Sequence, residues 1–139
     1  MSDADALPRR FGDYLLLERV GQGGMGEIFL ARAASMAGFE RLCVVKTVRN
    51  DLDEGADDAV ARFVDEARTA VRLQHKNLCQ VFDAGKVKSA DGQRLYLAME
   101  HVHGRNLLEL QRRAVESGTP LPENIALSLL GELLEGLDA

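Results

Sequence analysis

The chain has 139 residues, of which 46% are hydrophobic and 28% are charged, so it can bury one core of domain size. Its formal net charge is −5, and its lysines and arginines are spread along the sequence, which argues against a nucleic-acid partner. It contains neither a signal-peptide pattern nor a membrane-spanning run. We therefore expect a cytoplasmic location and no membrane contact from this segment.

The predicted elements begin after a polar leader, residues 1–13, which contains Pro8 and Gly12 and is expected to be mobile. Short apolar runs rich in Val, Leu, Ile and Phe, punctuated by glycines, then predict three strands, at 14–20, 26–31 and 41–48. The end of the second strand is open, because the alanines that follow it would also suit a helix.

An amphipathic helix is predicted over 57–74, where apolar residues recur at spacings of three and four. Two further strands follow, at 78–82 and 95–102, separated by the turn-rich sequence KSADGQ. Two helices end the chain: one spans 106–116, and the other begins after Pro122 and carries a leucine stripe. The two cysteines, Cys43 and Cys79, lie in apolar stretches, which predicts buried thiols in a reducing compartment.

A glycine-rich loop stands between the first two predicted strands. Gly21, Gly23 and Gly26 have G-x-G-x-x-G spacing, and Gly24 adds a fourth glycine. Backbone N–H groups without neighbouring side chains can approach phosphate oxygens closely. On this pattern alone, a glycine-rich hairpin without a ligand stays open.

Two other phosphate-binding loops fit the sequence poorly. A P-loop is excluded, because Glu27 and Ile28 stand where Lys and then Ser or Thr are required. A dinucleotide-binding loop needs a following helix and an acidic residue about twenty positions later. Here a strand-like run follows the glycines, and the residue twenty positions after Gly26 is Lys46.

The ordered set Gly21, Gly23, Gly26, Lys46 and Glu66 resembles the small lobe of the protein kinase family, from about residue 14 to the end of the chain. VGQGGMGEIFLA and CVVK resemble its glycine loop and lysine strand, and GGMG resembles bacterial serine/threonine kinases. FVDEARTAVRLQHKNL resembles the family's C-helix and the turn after it, where His75 and Asn77 would cap and dock the helix end. LYLAMEHVHGRNL resembles the fifth strand and the hinge.

The resemblance implies an α+β fold: a small lobe over 14–103, with a five-stranded antiparallel sheet and one C-helix. The first two helices of the large lobe would then occupy 104–139. Its catalytic pair would be Lys46, which binds the α- and β-phosphates of ATP, and Glu66, which holds the lysine ammonium group. Without the resemblance, Lys46 reads as a solvated strand lysine, and Glu66 as an exposed residue paired with Arg62.

The resemblance also implies the nucleotide-binding positions. Met99 would lie at the back of the adenine pocket, with backbone groups of Glu100 and Val102 at the adenine edge and Asn106 near the ribose. Val44 stands where the family usually has a small alanine, so a tighter pocket is expected. The full set comprises Val20, Gly21, Gly23, Gly24, Gly26, Ile28, Val44, Lys46, Met99, Glu100, Val102 and Asn106.

The function implied is that of a serine/threonine protein kinase, with ATP and Mg²⁺ as cofactors and proteins as substrates. The family's catalytic loop and metal-binding D-F-G aspartate follow the last helix, so no metal ligand is expected within residues 1–139. We expect no phosphoryl transfer by these residues alone. They would need the remainder of the large lobe or a partner protein. A regulatory kinase-like module without catalysis and a ligand-free glycine-rich domain are the alternatives.

Overall fold

The computed structural model describes residues 6–23, 26–33, 40–49, 56–89 and 92–139. These residues divide into two compact units. The first runs to Leu73 and resumes over Gln80–His101, and the second comprises Gln74–Cys79 and Val102–Ala139. The elements are β1 (Arg9–Phe11), β2 (Tyr14–Gly23), β3 (Gly26–Ala33), β4 (Arg41–Arg49), α1 (Ala56–Arg72), β5 (Val81–Ser89), β6 (Gly92–Glu100), α2 (Leu107–Glu116) and α3 (Glu123–Leu137).

The first unit is an antiparallel sheet with the strand order β1-β2-β3-β4-β6-β5, accompanied by α1. The predicted α+β class is confirmed, with six strands in place of the five expected. The additional strand is β1, which lies in the segment for which a mobile leader was predicted. Gly12, with φ of 57°, turns the chain so that Phe11 pairs with Tyr14 and enters the core.

β5 differs most from its predicted position. The sequence pattern placed it at 78–82, whereas it spans Val81–Ser89 and pairs with β6 along its whole length. It is an edge strand, and its lysines and Gly85 hide the alternation that marks a half-buried strand. Because β5 begins only at Val81, Cys79 lies before it and is exposed, contrary to the prediction, whereas Cys43 is buried as expected.

Both faces of the sheet carry apolar clusters, because successive side chains of a strand point to opposite faces. On one face, which we call the back face, Leu16, Phe29 and Val45 lie at the centre of a cluster. On the other face, Phe63 and Ala67 of α1 pack against residues of β5 and β6. We call this the helix face. The predicted amphipathic helix is thus confirmed, over Ala56–Arg72.

An aspartate on β5 ties two tyrosines together on the back face. Asp83 Oδ2 accepts hydrogen bonds from the hydroxyls of Tyr14, at 2.5 Å, and Tyr96, at 2.9 Å. Burial, followed by the hydrogen bond to Asp83, raises the pKa of Tyr96 to about 12. The same two causes raise the pKa of Tyr14 further. Both tyrosines therefore remain neutral donors at ordinary pH.

The second unit is built around α3. Asn77 donates from its side-chain amide to the Glu132 carbonyl at 2.6 Å, and Lys76 lies 2.9 Å from the Glu135 carboxylate. Asn77, in the segment that follows α1, therefore contacts α3. The leucine stripe of α3 is exposed, with accessible fractions from 40% at Leu129 to 74% at Leu137. Among the described helices, none has the length and apolar character needed to cross a membrane.

Candidate functional site

The glycine loop forms the tip of the β2–β3 hairpin. Gly21 pairs with Ile28 and Gly23 pairs with Gly26, so the glycines continue the two strands as a ribbon. A register shift between Arg19 and Gly21 leaves Val20 55% exposed. The predicted residue Gly24 lies outside the described residues. The described part of the hairpin thus has glycine at positions 21, 23 and 26 around its tip.

The fold places different demands on two of these glycines. A Cβ atom on Gly26, where φ is 147°, would lie 1.8 Å from the Thr47 carbonyl oxygen, so the fold itself demands glycine there. A Cβ atom on Gly21 would meet only Ile28, at 3.6 Å, which is an ordinary contact. The fold does not demand glycine at position 21. The space above Ile28 is therefore available to a ligand.

The helix face carries the predicted lysine beside the hairpin. Lys46 on β4 lies directly opposite Ile28 on β3 and Leu97 on β6. Val44 lies opposite Met99 two residues earlier, so Ile28, Val44, Lys46 and Met99 share this face, and all four are partly buried. Lys46 therefore lies on the same face of the sheet as three partly buried apolar residues.

Glu66 falls on α1, but its side chain lies outside the described part of the structure. Its ion pair with Lys46 therefore stays a prediction. The other end of the site is better defined: the Glu100 N–H donates to the Gln80 carbonyl at 2.9 Å, and the Glu100 carboxylate accepts from the Gln80 N–H at 2.8 Å. These two bonds fix the end of β6, where the predicted adenine-edge contacts begin.

Val102 and Asn106 belong to the second unit. Val102 is 65% exposed. Asn106 is the N-cap of α2, and its Oδ1 accepts from the Glu109 N–H at 2.8 Å. This capping role accounts for an asparagine at position 106 without any ligand, and it leaves the side-chain NH₂ group to serve the predicted ribose contact.

Behind the hairpin lies an ionic cluster of Arg19, Glu27 and Arg94, which the sequence pattern does not predict. Glu27 Oε1 accepts from Arg19 Nη1 at 3.1 Å, and Glu27 Oε2 accepts from Arg94 Nη1 at 3.2 Å. Burial opposes ionisation of Glu27, but the hydrogen bonds from Arg19 and Arg94 outweigh it, so the pKa of this carboxyl lies below its usual range. Hairpin pairing could have joined Arg19 to Glu27. No local signal points to Arg94, which is 67 positions away.

A model of the protein kinase domain family matches residues 14–139, which is most of the chain. This chain belongs to the protein kinase family. Two relatives from Myxococcus xanthus are similar over most of it: the tyrosine-protein kinase MasK, 33% identical over 91% of the chain, and the serine/threonine-protein kinase pkn3, 36% identical over 85%. The chain spans 19% and 20% of those two proteins, respectively.

Solved kinase structures show the same fold. The kinase domain of Mycobacterium tuberculosis PknI, solved as a point mutant, matches 96% of this chain with a TM-score of 0.71 and 27% sequence identity. This kinase-family chain spans 50% of that domain. The predicted membership of the family and the predicted fold class are thereby confirmed. Residues 14–139 correspond to the N-terminal segment of a kinase domain.

Proposed function

We propose that this chain is the ATP-binding part of a serine/threonine protein kinase, which transfers a phosphoryl group from ATP to Ser or Thr hydroxyls of proteins. The observation that carries the proposal is the position of Lys46, directly opposite Ile28 on the strand next to the glycine hairpin. This arrangement sets a positive charge and a glycine-rich backbone beside the same apolar surface. The family match supports a kinase-type transferase.

In this proposal the adenine ring lies against Val20, Ile28 and Val44, with Met99 behind it. The N–H of Glu100 already bonds to Gln80. The carbonyl of Glu100 is therefore the group that would accept from the adenine amino group. Val102 and Asn106 keep the adenine-edge and ribose roles that the family resemblance implies.

The phosphates are assigned to the hairpin and the lysine. Backbone N–H groups of Gly21, Gly23, Gly24 and Gly26 would face the phosphate oxygens, and Lys46 would neutralise the α- and β-phosphates while Glu66 holds its ammonium group. ATP fits these residues, because Gly21 leaves open the space that a side chain would fill. Bound Mg²⁺ would neutralise charge on the phosphates, and we assign it no ligand in this chain.

Phosphoryl transfer requires groups in addition to these residues. In-line transfer requires an oriented hydroxyl and bound metal ions, which the family supplies from its catalytic loop and D-F-G motif. We therefore expect residues 1–139 to bind ATP without transferring phosphate. The exposed leucines of α3 would be covered by further kinase-domain residues or by a partner protein, because such an apolar stripe is costly to leave in water. The candidate partners are thus ATP, protein substrates and whatever covers this stripe.

Binding of a non-hydrolysable ATP analogue tests the proposal. Isothermal titration calorimetry would compare the wild-type chain with Lys46→Met and Glu66→Ala, and circular dichroism would confirm folding of each sample. Loss of a charge-assisted contact should weaken binding at least about tenfold in Lys46→Met. Lys86→Met is the matched control, because Lys86 is an exposed strand lysine on β5. A folded wild-type chain that binds no analogue, or equal binding by Lys46→Met, would contradict the proposal.

A further inference from the structure

On the back face of the sheet, the ionic cluster of Arg19, Glu27 and Arg94 lies against the glycine hairpin. Glu27 and Arg94 are only 8% and 7% exposed, and each oxygen of the Glu27 carboxylate bonds to a different guanidinium group. The cluster lies immediately behind the site, because Glu27 follows Gly26 and precedes Ile28, which points to the helix face.

The cluster links β3 and β6, two strands that are not hydrogen-bonded neighbours in the sheet. Glu27 is on β3 and Arg94 is on β6, and in the sheet these two strands are separated by β4. Their ion pair therefore spans β4 at Thr47, whose hydroxyl donates to the Glu27 carbonyl at 3.4 Å. Arg19 ties the same carboxylate to β2. The Glu27 side chain thus contacts β2 and β6, and its backbone carbonyl accepts from β4.

A gain in folding stability does not by itself explain the presence of such an ionic cluster. Removing two charges from water costs about as much as their attraction returns, so a neutral, well-packed pair often stabilises a fold equally well. A carboxylate held by two guanidinium groups does, however, have a defined direction and position. Glu27 lies between Gly26 and Ile28, and Ile28 is directly opposite Lys46.

We propose that Glu27 is a positioning residue for the nucleotide site. Its ion pairs with Arg94 and Arg19 hold the glycine hairpin in the position in which the Gly21 backbone and Ile28 contact the nucleotide. Arg94 has the same positioning role, which it exerts through Glu27 without contacting the ligand. This inference rests on the proposed ATP-binding function and adds to it a specific requirement on the far side of the sheet.

The test separates positioning from stability. We would compare Glu27→Gln, Arg94→Met and the double variant in the 139-residue chain, using amide hydrogen exchange at 21–23 and 26–28, affinity for the ATP analogue, and urea unfolding. Glu27→Gln should speed exchange and weaken affinity by about tenfold each, because a small misplacement of binding groups is costly. The double variant should regain most of the lost stability, since no buried charge is left unpaired.

Exchange and affinity in the double variant should nevertheless stay as poor as in Glu27→Gln. If both recover together with stability, the cluster is merely structural and the inference is overturned. Arg19→Met is a milder probe should Glu27→Gln fail to fold, because Arg19 is half exposed, and it should change both readouts in the same direction. Glu40→Gln is the matched control: it removes a carboxylate from an exposed ion pair with Arg32 at 2.7 Å and should change neither readout.

The outcomes also distinguish this inference from the function on which it rests. If the folded wild-type chain binds no ATP analogue, the proposed function fails, while hydrogen exchange still decides whether Glu27 fixes the hairpin. If the wild type binds the analogue and Glu27→Gln exchanges and binds like the wild type, the positioning role fails and the proposed function stands.

Discussion

Alanine substitutions at two glycines of the hairpin should affect different properties: Gly26→Ala should lower the stability of the fold, whereas Gly21→Ala should weaken ligand binding. A Cβ atom on Gly26 would lie 1.8 Å from the Thr47 carbonyl oxygen and 2.9 Å from its carbonyl carbon. Neither atom can move away easily, because both belong to the backbone of β4. The φ of 147° at Gly26 adds strain of about 1–3 kcal/mol for any residue other than glycine.

These two effects together predict that Gly26→Ala lowers the free energy of unfolding by at least about 3 kcal/mol. With a urea m-value of about 2 kcal/mol/M, the unfolding midpoint should fall by about 1.5 M. Gly21→Ala adds a Cβ atom 3.6 Å from Ile28, which is an ordinary contact. It should change stability by less than about 0.5 kcal/mol, yet weaken binding of the ATP analogue.

Tyrosine fluorescence suits the urea titration, because the chain has two tyrosines and no tryptophan. Both Tyr14 and Tyr96 lie in the first unit, so the signal reports unfolding of the sheet. The reasoning is refuted if Gly26→Ala unfolds at the wild-type urea concentration. It is equally refuted if Gly21→Ala is as unstable as Gly26→Ala.

The remaining predictions concern the tyrosine cluster, a helix cap and the leucine stripe. Because the pKa of Tyr96 is raised to about 12 in the folded protein, neutral Tyr96 contributes fully to the free energy of unfolding below its unfolded pKa of about 10, and this contribution is lost as pH rises toward 12. Tyr96→Phe should reduce this pH-dependent loss of stability in unfolding curves followed by circular dichroism. Asn106→Ala should destabilise α2 by about 1 kcal/mol in thermal melts, whereas Asn106→Ser, which keeps a capping oxygen, should not. The exposed leucines of α3 predict that the 139-residue chain self-associates, and the double variant Leu130→Glu/Leu134→Glu should reduce this association in sedimentation velocity; unchanged association would show that this stripe is not responsible.

The sequence predicted the parts of the fold that depend on local patterns. The glycine spacing, the lysine-bearing strand and the apolar period of α1 depend on neighbours in sequence, so they were readable from it. The capping role of Asn106 is also predictable from the sequence, because Glu109 stands three residues later in a capping-box pattern.

Other features depend on contacts between distant residues, which a single sequence does not reveal. β1 is three residues long between Pro8 and Gly12, and it exists because Phe11 reaches a core that also contains Tyr96. The edge position of β5 removes the alternation that would have revealed its length. The pair of Glu27 and Arg94 likewise needs the strand order, since β4 lies between them.

The position of the ligand on the sheet tests the central claim most directly. Amide chemical shifts of the isotope-labelled chain would be recorded by NMR during titration with a non-hydrolysable ATP analogue. We predict shifts at Gly21, Ile28, Val44 and Lys46, and unchanged signals at Leu16 in the core of the back face. Shifts confined to other parts of the sheet, or a folded chain whose spectrum does not respond to the analogue, would contradict a nucleotide site at the glycine hairpin.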